Sequence, residues 1–127
     1  MPQATFIPLS DQATITLTTF RKDGTPVNTA VSIAVVDEAH ALIRTWSTSG
    51  KAKRIRRNAR VLVAPSTTTG KPTGPAIQAE AHFVKGERAK LASRMLSEKH
   101  PLLHGKLVPF VHRLQGRETV YIELTPA

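Results

Sequence analysis

The residues best suited to chemistry lie in one short basic segment, residues 49–57. Ser49 and Gly50 begin a dense run of cations that no acidic residue interrupts. Ser49 is a typical N-cap residue, so the pattern predicts a short helix over residues 51–58. A helix start presents backbone N–H groups and the positive end of its dipole to an anion. The segment therefore predicts a phosphate site, with a solvated basic surface as the alternative. Its predicted cations are Lys51, Lys53, Arg54 and Arg57.

A second candidate surface lies on the strand predicted over residues 26–36. One face of this strand carries small and polar side chains where a core-facing strand would carry large branched ones. Small side chains leave room for a flat ligand, and amides and hydroxyls can bond to the edge of a ring. A solvent-exposed strand face explains the pattern equally well. The residues of this face are Asn28, Ala30 and Ser32.

Other chemistry finds less support in the sequence. His100 and His104 are spaced to share a helix face, but a zinc site needs further ligands and Glu98 is the only nearby carboxylate. The chain has no cysteine, which excludes disulfides and thiol catalysis. Nucleic-acid binding needs stacking aromatic residues, and Trp46 stands alone beside the basic segment. We therefore predict no metal site, and nucleic acid is the least favoured partner.

Bulk composition indicates one basic domain. The 127 residues are 40% hydrophobic, which suits a single core formed by residues 1–127. A formal net charge of +9 attracts anions such as phosphorylated cofactors, acidic substrates or nucleic acid. No apolar run is long enough to span a membrane, and residues 1–6 lack the pattern of a signal peptide. We therefore expect a cytoplasmic protein without membrane contact.

Hydrophobic periodicity predicts a mainly β fold with helices. Alternating residues predict six strands, and turns such as Asp23-Gly24 join successive strands tightly enough for antiparallel pairing. Closure removes the sheet edges, so we predict a six-stranded antiparallel β-barrel. Further helices are predicted over residues 86–99 and 101–115, the second broken at Pro109. The predicted strands are residues 13–20, 26–36, 40–46, 60–65, 75–84 and 118–124.

Three stretches of this sequence resemble a known pattern. Residues 18–31 are similar to the opening hairpin of the pyridoxamine 5'-phosphate oxidase-like superfamily of split β-barrels. Residues 49–61 resemble its next motif, and residues 73–81 resemble the one after that. Within the superfamily, the sequence resembles most the branch of deazaflavin-dependent oxidoreductases. These motifs are fairly specific for the superfamily. They distinguish less sharply between this branch and the relatives that use FMN.

The resemblance implies a split β-barrel homodimer with its cofactor at the subunit interface. It places the cofactor phosphate near Ser49, Gly50, Lys51, Lys53, Arg54 and Arg57. It lays the flat ring along Asn28, Thr29, Ala30, Val31 and Ser32, with Arg44 and Thr45 on the adjoining strand. One departure is the run Ala30-Val31-Ser32-Ile33, where many relatives carry a proline and a large aromatic residue after the threonine. This departure would widen the ring pocket and change the choice of substrate.

The implied activity is hydride transfer between coenzyme F-420 (8-hydroxy-5-deazaflavin) and a small conjugated organic substrate. In such enzymes the cofactor carries the chemistry, while the protein supplies binding, orientation and electrostatics. No catalytic residue is assigned, and water, Lys51 or Arg44 could supply a proton near the ring. An FMN-dependent oxidase or reductase on the same fold is the first alternative. A cofactor-binding or tetrapyrrole-binding protein without turnover is the second.

Overall fold

In the computed structural model, which describes residues 5–99 and 118–127, the chain forms a closed antiparallel β-barrel. Around the barrel the strands follow the order β1, β2, β3, β6, β5, β4, and β4 pairs with β1 to close it. The predicted six-stranded antiparallel barrel is therefore confirmed. The strands are β1 (Thr14–Phe20), β2 (Pro26–Asp37), β3 (His40–Trp46), β4 (Arg60–Pro65), β5 (Ile77–Val84) and β6 (Thr119–Pro126). The α-helices of the described residues are α1 (Gly50–Arg57) and α2 (Gly86–Lys99).

The boundaries of five elements differ from the prediction by one or two residues, and those of β1 and β2 differ by a single residue at one end. Helix α1 begins and ends one residue earlier than predicted, since Gly50, which follows the N-cap Ser49, is already helical. Strand β5 begins at Ile77, two residues after Pro75, which has no N–H group for a ladder bond. Strand β6 runs to Pro126, because its last residues continue the pairing with β5 up to Ala79.

The barrel interior is filled by the alternating apolar residues that the sequence pattern assigned to one face of each strand. Ile15, Leu17, Ile33, Ile43 and Val63 are fully buried there. Ile55 and Ala52 of α1 close the barrel end where the β1–β2 hairpin lies. The opposite end is closed by Phe6, which precedes the 3₁₀ turn Ile7–Leu9, and by Leu9, the last residue of that turn.

Helix α2 covers one side of the barrel. It packs on the outer surfaces of β2, β3 and β6. Ala92 and Leu96 are fully buried against this surface. Arg88 adds an ion pair across the same contact, since its Nε lies 2.6 Å from Glu123 Oε1 on β6. The helix therefore leaves the outer surfaces of β1, β4 and β5 to other partners or to solvent.

Some predictions lie outside the described residues. These are the helical region 101–115 and the histidine pair His100 and His104. Within residues 5–99 and 118–127, no cluster of three or more potential metal-ligating side chains occurs. Neither of the helices described there is long and apolar enough to cross a membrane.

Candidate functional site

The start of α1 is fixed by a chain of hydroxyl groups. Ser49 adopts an extended conformation, and its Oγ accepts a 3.1 Å hydrogen bond from the Ala52 N–H. Thr45 lies near the end of β3 with its side chain facing inward, and its hydroxyl donates a 3.0 Å hydrogen bond to Ser49 Oγ. The N-cap predicted from sequence is confirmed, and the contact from Thr45 ties it to the barrel. The first N–H groups of the helix therefore point in a direction that the barrel determines.

The side chain of Arg54 lies across this helix start. Its Nε donates a 2.6 Å hydrogen bond to the hydroxyl of Thr19, which is fully buried near the end of β1. A Cβ atom placed on Gly50 would lie 2.8 Å from Arg54 Nη1. Gly50 therefore leaves the space that the guanidinium occupies. The fork of Arg54 and the first turn of α1 together form a cradle of N–H donors.

The cations around this cradle repel one another and have lost part of their hydration. Partial burial lowers the pKa of Lys51, and the nearby Arg54 guanidinium lowers it further. Partial burial likewise lowers the pKa of Arg54, with contributions from Arg21 and Arg57. In the described parts of the chain no carboxylate lies within ion-pair distance of these four side chains. A bound anion would offset the repulsion among these cations and would compensate for the hydration that Lys51 and Arg54 have lost.

The structure divides the predicted basic residues into different groups. Lys51 and Arg54 lie at the helix start, and Arg57 is close enough to influence Arg54. Lys53 is exposed on the outer side of the helix. Arg56, which the sequence did not single out, lies over the ring of Phe83 at 5.1 Å. In the sequence, only its position within the basic segment 49–57 could have identified Arg56.

The small face of β2 points away from the barrel core. Asn28 and Ala30 are exposed and Ser32 is half-buried, whereas Val31 faces the core. The Thr18 hydroxyl donates a 2.7 Å hydrogen bond to Asn28 Oδ1 across the β1–β2 pair. Three of the five residues predicted to follow the ring therefore share one outer surface. Thr29, whose hydroxyl donates to the Leu17 carbonyl at 3.4 Å, lies on the other face with Val31.

One part of this surface is small because a loop approaches it. Gly70 has a φ of +93°, and a Cβ atom built on it would lie 2.9 Å from the Cβ of Ala30. The Gly70 carbonyl accepts a 2.6 Å hydrogen bond from the Thr16 hydroxyl beside Ala30. The loop between β4 and β5 therefore rests on the outer face of β1 and β2. It forms one wall of any site on that face.

Arg44 continues the outer surface onto β3. Ile33 pairs with Ile43, so Ser32 and Arg44 are the next residues along their strands. Arg44 is only 8% exposed, and its guanidinium carbon lies 5.7 Å from the centre of the Tyr121 ring on β6. Burial lowers its pKa, and the neighbouring Tyr121 partly opposes the shift. Arg44 and Thr45 thus point to opposite sides of β3, Arg44 outward and Thr45 toward the helix cap.

Two arrangements fit the phosphate and the ring of a nucleotide-like cofactor. The cradle at Gly50, which a Cβ atom would fill, provides donors and uncompensated positive charge for a phosphate. The outer surface formed by Asn28, Ala30, Ser32 and Arg44 provides a flat face with polar edges for a ring.

No protein-family model matches the sequence, and no curated protein matches it either. Among solved structures, a Listeria innocua protein provisionally named as a pyridoxamine 5'-phosphate oxidase is 18% identical. Its TM-score is 0.62, over 93% of this chain and 86% of that one. An F420 reductase is 17% identical, with a TM-score of 0.62 over 100% of this chain and 96% of that one. HutZ, a heme storage protein from Vibrio cholerae, is 17% identical, with a TM-score of 0.68 over 92% and 83%.

These similarities establish the fold. The chain has the split-barrel architecture of pyridoxamine 5'-phosphate oxidase-like proteins, so the resemblance found in its sequence motifs is confirmed at the level of the fold. The matched structures include both a reductase and a heme storage protein. The choice among their activities therefore rests on the side chains of this chain.

Proposed function

We propose that this protein is an oxidoreductase that uses coenzyme F-420 in hydride transfer with a small conjugated substrate. The observation that carries the proposal is the cation pair Lys51 and Arg54 at the start of α1. The protein shares its fold with an F420 reductase, and this similarity supports the proposed class of cofactor. When bound, the deazaflavin supplies two-electron chemistry, whereas the protein supplies binding and orientation.

The cradle at the start of α1 is proposed to hold the cofactor phosphate. The Lys51 ammonium and the Arg54 guanidinium would donate charge-assisted hydrogen bonds to phosphate oxygens. Thr19 holds Arg54 in place, so less side-chain entropy is lost when the anion binds. Arg57 and Lys53, which lie farther out, would strengthen the attraction over a longer range.

The ring is proposed to lie along the outer surface of β2 and β3. Asn28, Ala30 and Ser32 form its floor, and the loop at Gly70 limits it on one side. Burial lowers the pKa of Arg44 because its cation has lost hydration, and an anionic ring beside it would compensate for that loss by charge pairing. This placement would keep the ring and the phosphate on the same part of the barrel.

A fluorescence titration tests the cofactor. Trp46 is the only tryptophan and lies at the end of β3, three residues before Ser49. Saturable quenching by coenzyme F-420 is the expected result. Quenching by FMN alone would instead identify an FMN-dependent protein. Binding of F-420 without turnover of any conjugated substrate would favour a cofactor-binding protein over an enzyme.

The double variant Lys51→Ala/Arg54→Ala tests the location of the site. Removing two charge-assisted contacts should weaken F-420 binding at least about tenfold. The matched control is Lys90→Ala/Arg94→Ala on α2, which removes the same charge from exposed positions away from α1. Equal affinity of the two double variants would contradict the proposed site. Circular dichroism should show the same fold in both.

We also propose that two copies of the chain assemble with the cofactor between them. The outer surfaces of β1, β4 and β5 carry no α-helix in the described residues, and Asn28 and Ala30 on neighbouring β2 are exposed. A second copy placed there would exclude water from the ring.

A further inference from the structure

A second cavity lies on the opposite side of α1 from the cradle. It has a volume of about 570 Å³, is open to solvent on one side, and lies between the end of β5, the beginning of β6 and the beginning of α2. This volume falls within the range of roughly 300–1,000 Å³ that is usual for small-molecule sites. Among its lining residues are Arg56, Phe83, Lys85 and Tyr121, with Ser47 and Thr119. Lys51 and Arg54 do not line it.

The cavity combines aromatic walls with positive charge. The Arg56 guanidinium lies over the Phe83 ring at 5.1 Å, which orients it without neutralising it. In residues 5–99 and 118–127, no carboxylate lies within ion-pair distance of Arg56 or Lys85. One acidic residue, Glu118, also lines the cavity, and it is exposed. Two cations therefore face one carboxylate, and the cavity keeps a positive charge.

The other wall of the cavity connects it to the outer surface of the barrel. Tyr121 lines the cavity and also contacts Arg44 at 5.7 Å. Ser47 lies two residues before the N-cap Ser49, and its N–H donates a 2.8 Å hydrogen bond to the Glu118 carbonyl. The segment that leads into α1 is therefore shared by the cradle and the cavity. The two sites are separate, but one segment of backbone borders both.

We propose that this cavity binds a planar aromatic anion, such as an aromatic carboxylate or sulfonate. The ring of the ligand would pack against Tyr121 on the outer side of β6, since aromatic pairs gain energy beyond the area that they bury. Phe83 lies on the inner side of the barrel wall and holds Arg56 at the cavity. Its acidic group would pair with Arg56 and Lys85, and Arg is able to bind a carboxylate through two N–H groups. The site requires no cofactor, so its occupancy is independent of the function proposed above.

The experiment uses the full chain without added cofactor and naphthoate as the probe. Isothermal titration should give saturable binding with one site per chain. Naphthalenemethanol, which has the same ring but no charge, should bind at least about tenfold more weakly because it cannot pair with the cations. Arg56→Gln should weaken naphthoate binding about tenfold for the same reason. The matched control Arg94→Gln, an exposed cation on α2, should leave it unchanged.

Three results would overturn the proposal. These are no saturable binding of naphthoate, equal binding of the neutral analogue, or the same affinity in Arg56→Gln and Arg94→Gln. Arg56 is exposed, so its replacement should not disturb folding, which a thermal melt checks. Should that variant melt early, Lys85→Gln removes the other cation and must show the loss instead. Because Lys51→Ala should leave naphthoate binding intact, failure of the F-420 site is distinguishable from failure of this one.

Discussion

Arg54 Nε donates a 2.6 Å hydrogen bond to the buried hydroxyl of Thr19, joining α1 to the end of β1 across 35 residues of sequence. The bond uses the one guanidinium N–H that points back along the side chain. The terminal nitrogens are left near Gly50 at the helix start. A cation held in this way is already oriented for an anion before the anion arrives. Such preorganisation reduces the entropy lost on binding.

The first prediction concerns Gly50. In Gly50→Ala the new methyl group would meet Arg54 Nη1 at 2.8 Å and push the guanidinium away from the helix start. We expect F-420 affinity to fall about fivefold to tenfold, because a charge-assisted contact is weakened. Stability in urea should be unchanged or higher by up to about 1 kcal/mol, since Ala favours a helix over Gly. A titration and a urea melt on the same preparation measure both effects.

A double-mutant cycle supplies the control for Gly50. If Gly50 acts only by leaving room for Arg54, then Gly50→Ala should cost nothing further in the Arg54→Ala background. Additive losses in the two variants would mean that the methyl group blocks the anion directly. The role given to the guanidinium would then be wrong.

The second prediction is a dependence of binding on pH. Burial and Arg54 lower the pKa of Lys51 from 10.5, so in the free protein its proton is lost at a lower pH than in an ordinary lysine. A bound phosphate favours the charged form and raises that pKa again. Affinity should therefore be constant below the pKa of the free protein and decrease as the pH rises through it.

Lys51→Arg is the control for this pH dependence. Arg stays charged throughout the range, so the alkaline decrease should disappear while binding at neutral pH is largely kept. An identical decrease in wild type and Lys51→Arg would assign the titration to another group, either on the ligand or elsewhere in the protein.

The sequence was sufficient for the parts of this structure that depend on local pattern. Strands β3 and β4 begin and end where the alternation of apolar residues predicted, and Ser49 caps α1 as expected. Both features follow from residues within a few positions of one another. The inward direction of Ile15, Leu17 and Ile33 follows from the same period of two.

The remaining features arise from contacts between distant segments. The sequence did not predict that β6 lies between β3 and β5, because no local pattern specifies the partner of a strand. The small side chain of Ala30 predicted a ligand surface, yet Gly70 occupies part of the space above it. The bond between Thr19 and Arg54 was equally hidden, since a threonine in a strand usually indicates only β propensity.

The third prediction concerns the assembly of two chains. Light scattering at micromolar concentration should give twice the chain mass of 13.8 kDa. Asn28→Arg places a long cation on the exposed outer face of β2 and should shift the equilibrium toward monomer. Ala39→Arg places the same cation at an exposed position of the β2–β3 turn, away from β1, β4 and β5, and is the control. A monomeric wild type would contradict the assembly, and equal effects of the two variants would place the contact elsewhere.

The fourth prediction separates backbone strain from contact at Gly70. Gly70 and Gly24 have nearly the same φ, +93° and +91°, but only Gly70 faces a neighbour within 4 Å. Gly24→Ala should therefore lose only the strain energy, on the order of 1 kcal/mol of unfolding free energy. Gly70→Ala should lose about 1–2 kcal/mol more, because its methyl group would meet Ala30. Ala30→Gly should recover that excess in the Gly70→Ala background and nothing in the Gly24→Ala background, as measured by urea denaturation. Equal losses at the two glycines would mean that the loop does not rest on β2, and the wall that it forms beside the proposed ring site would be absent.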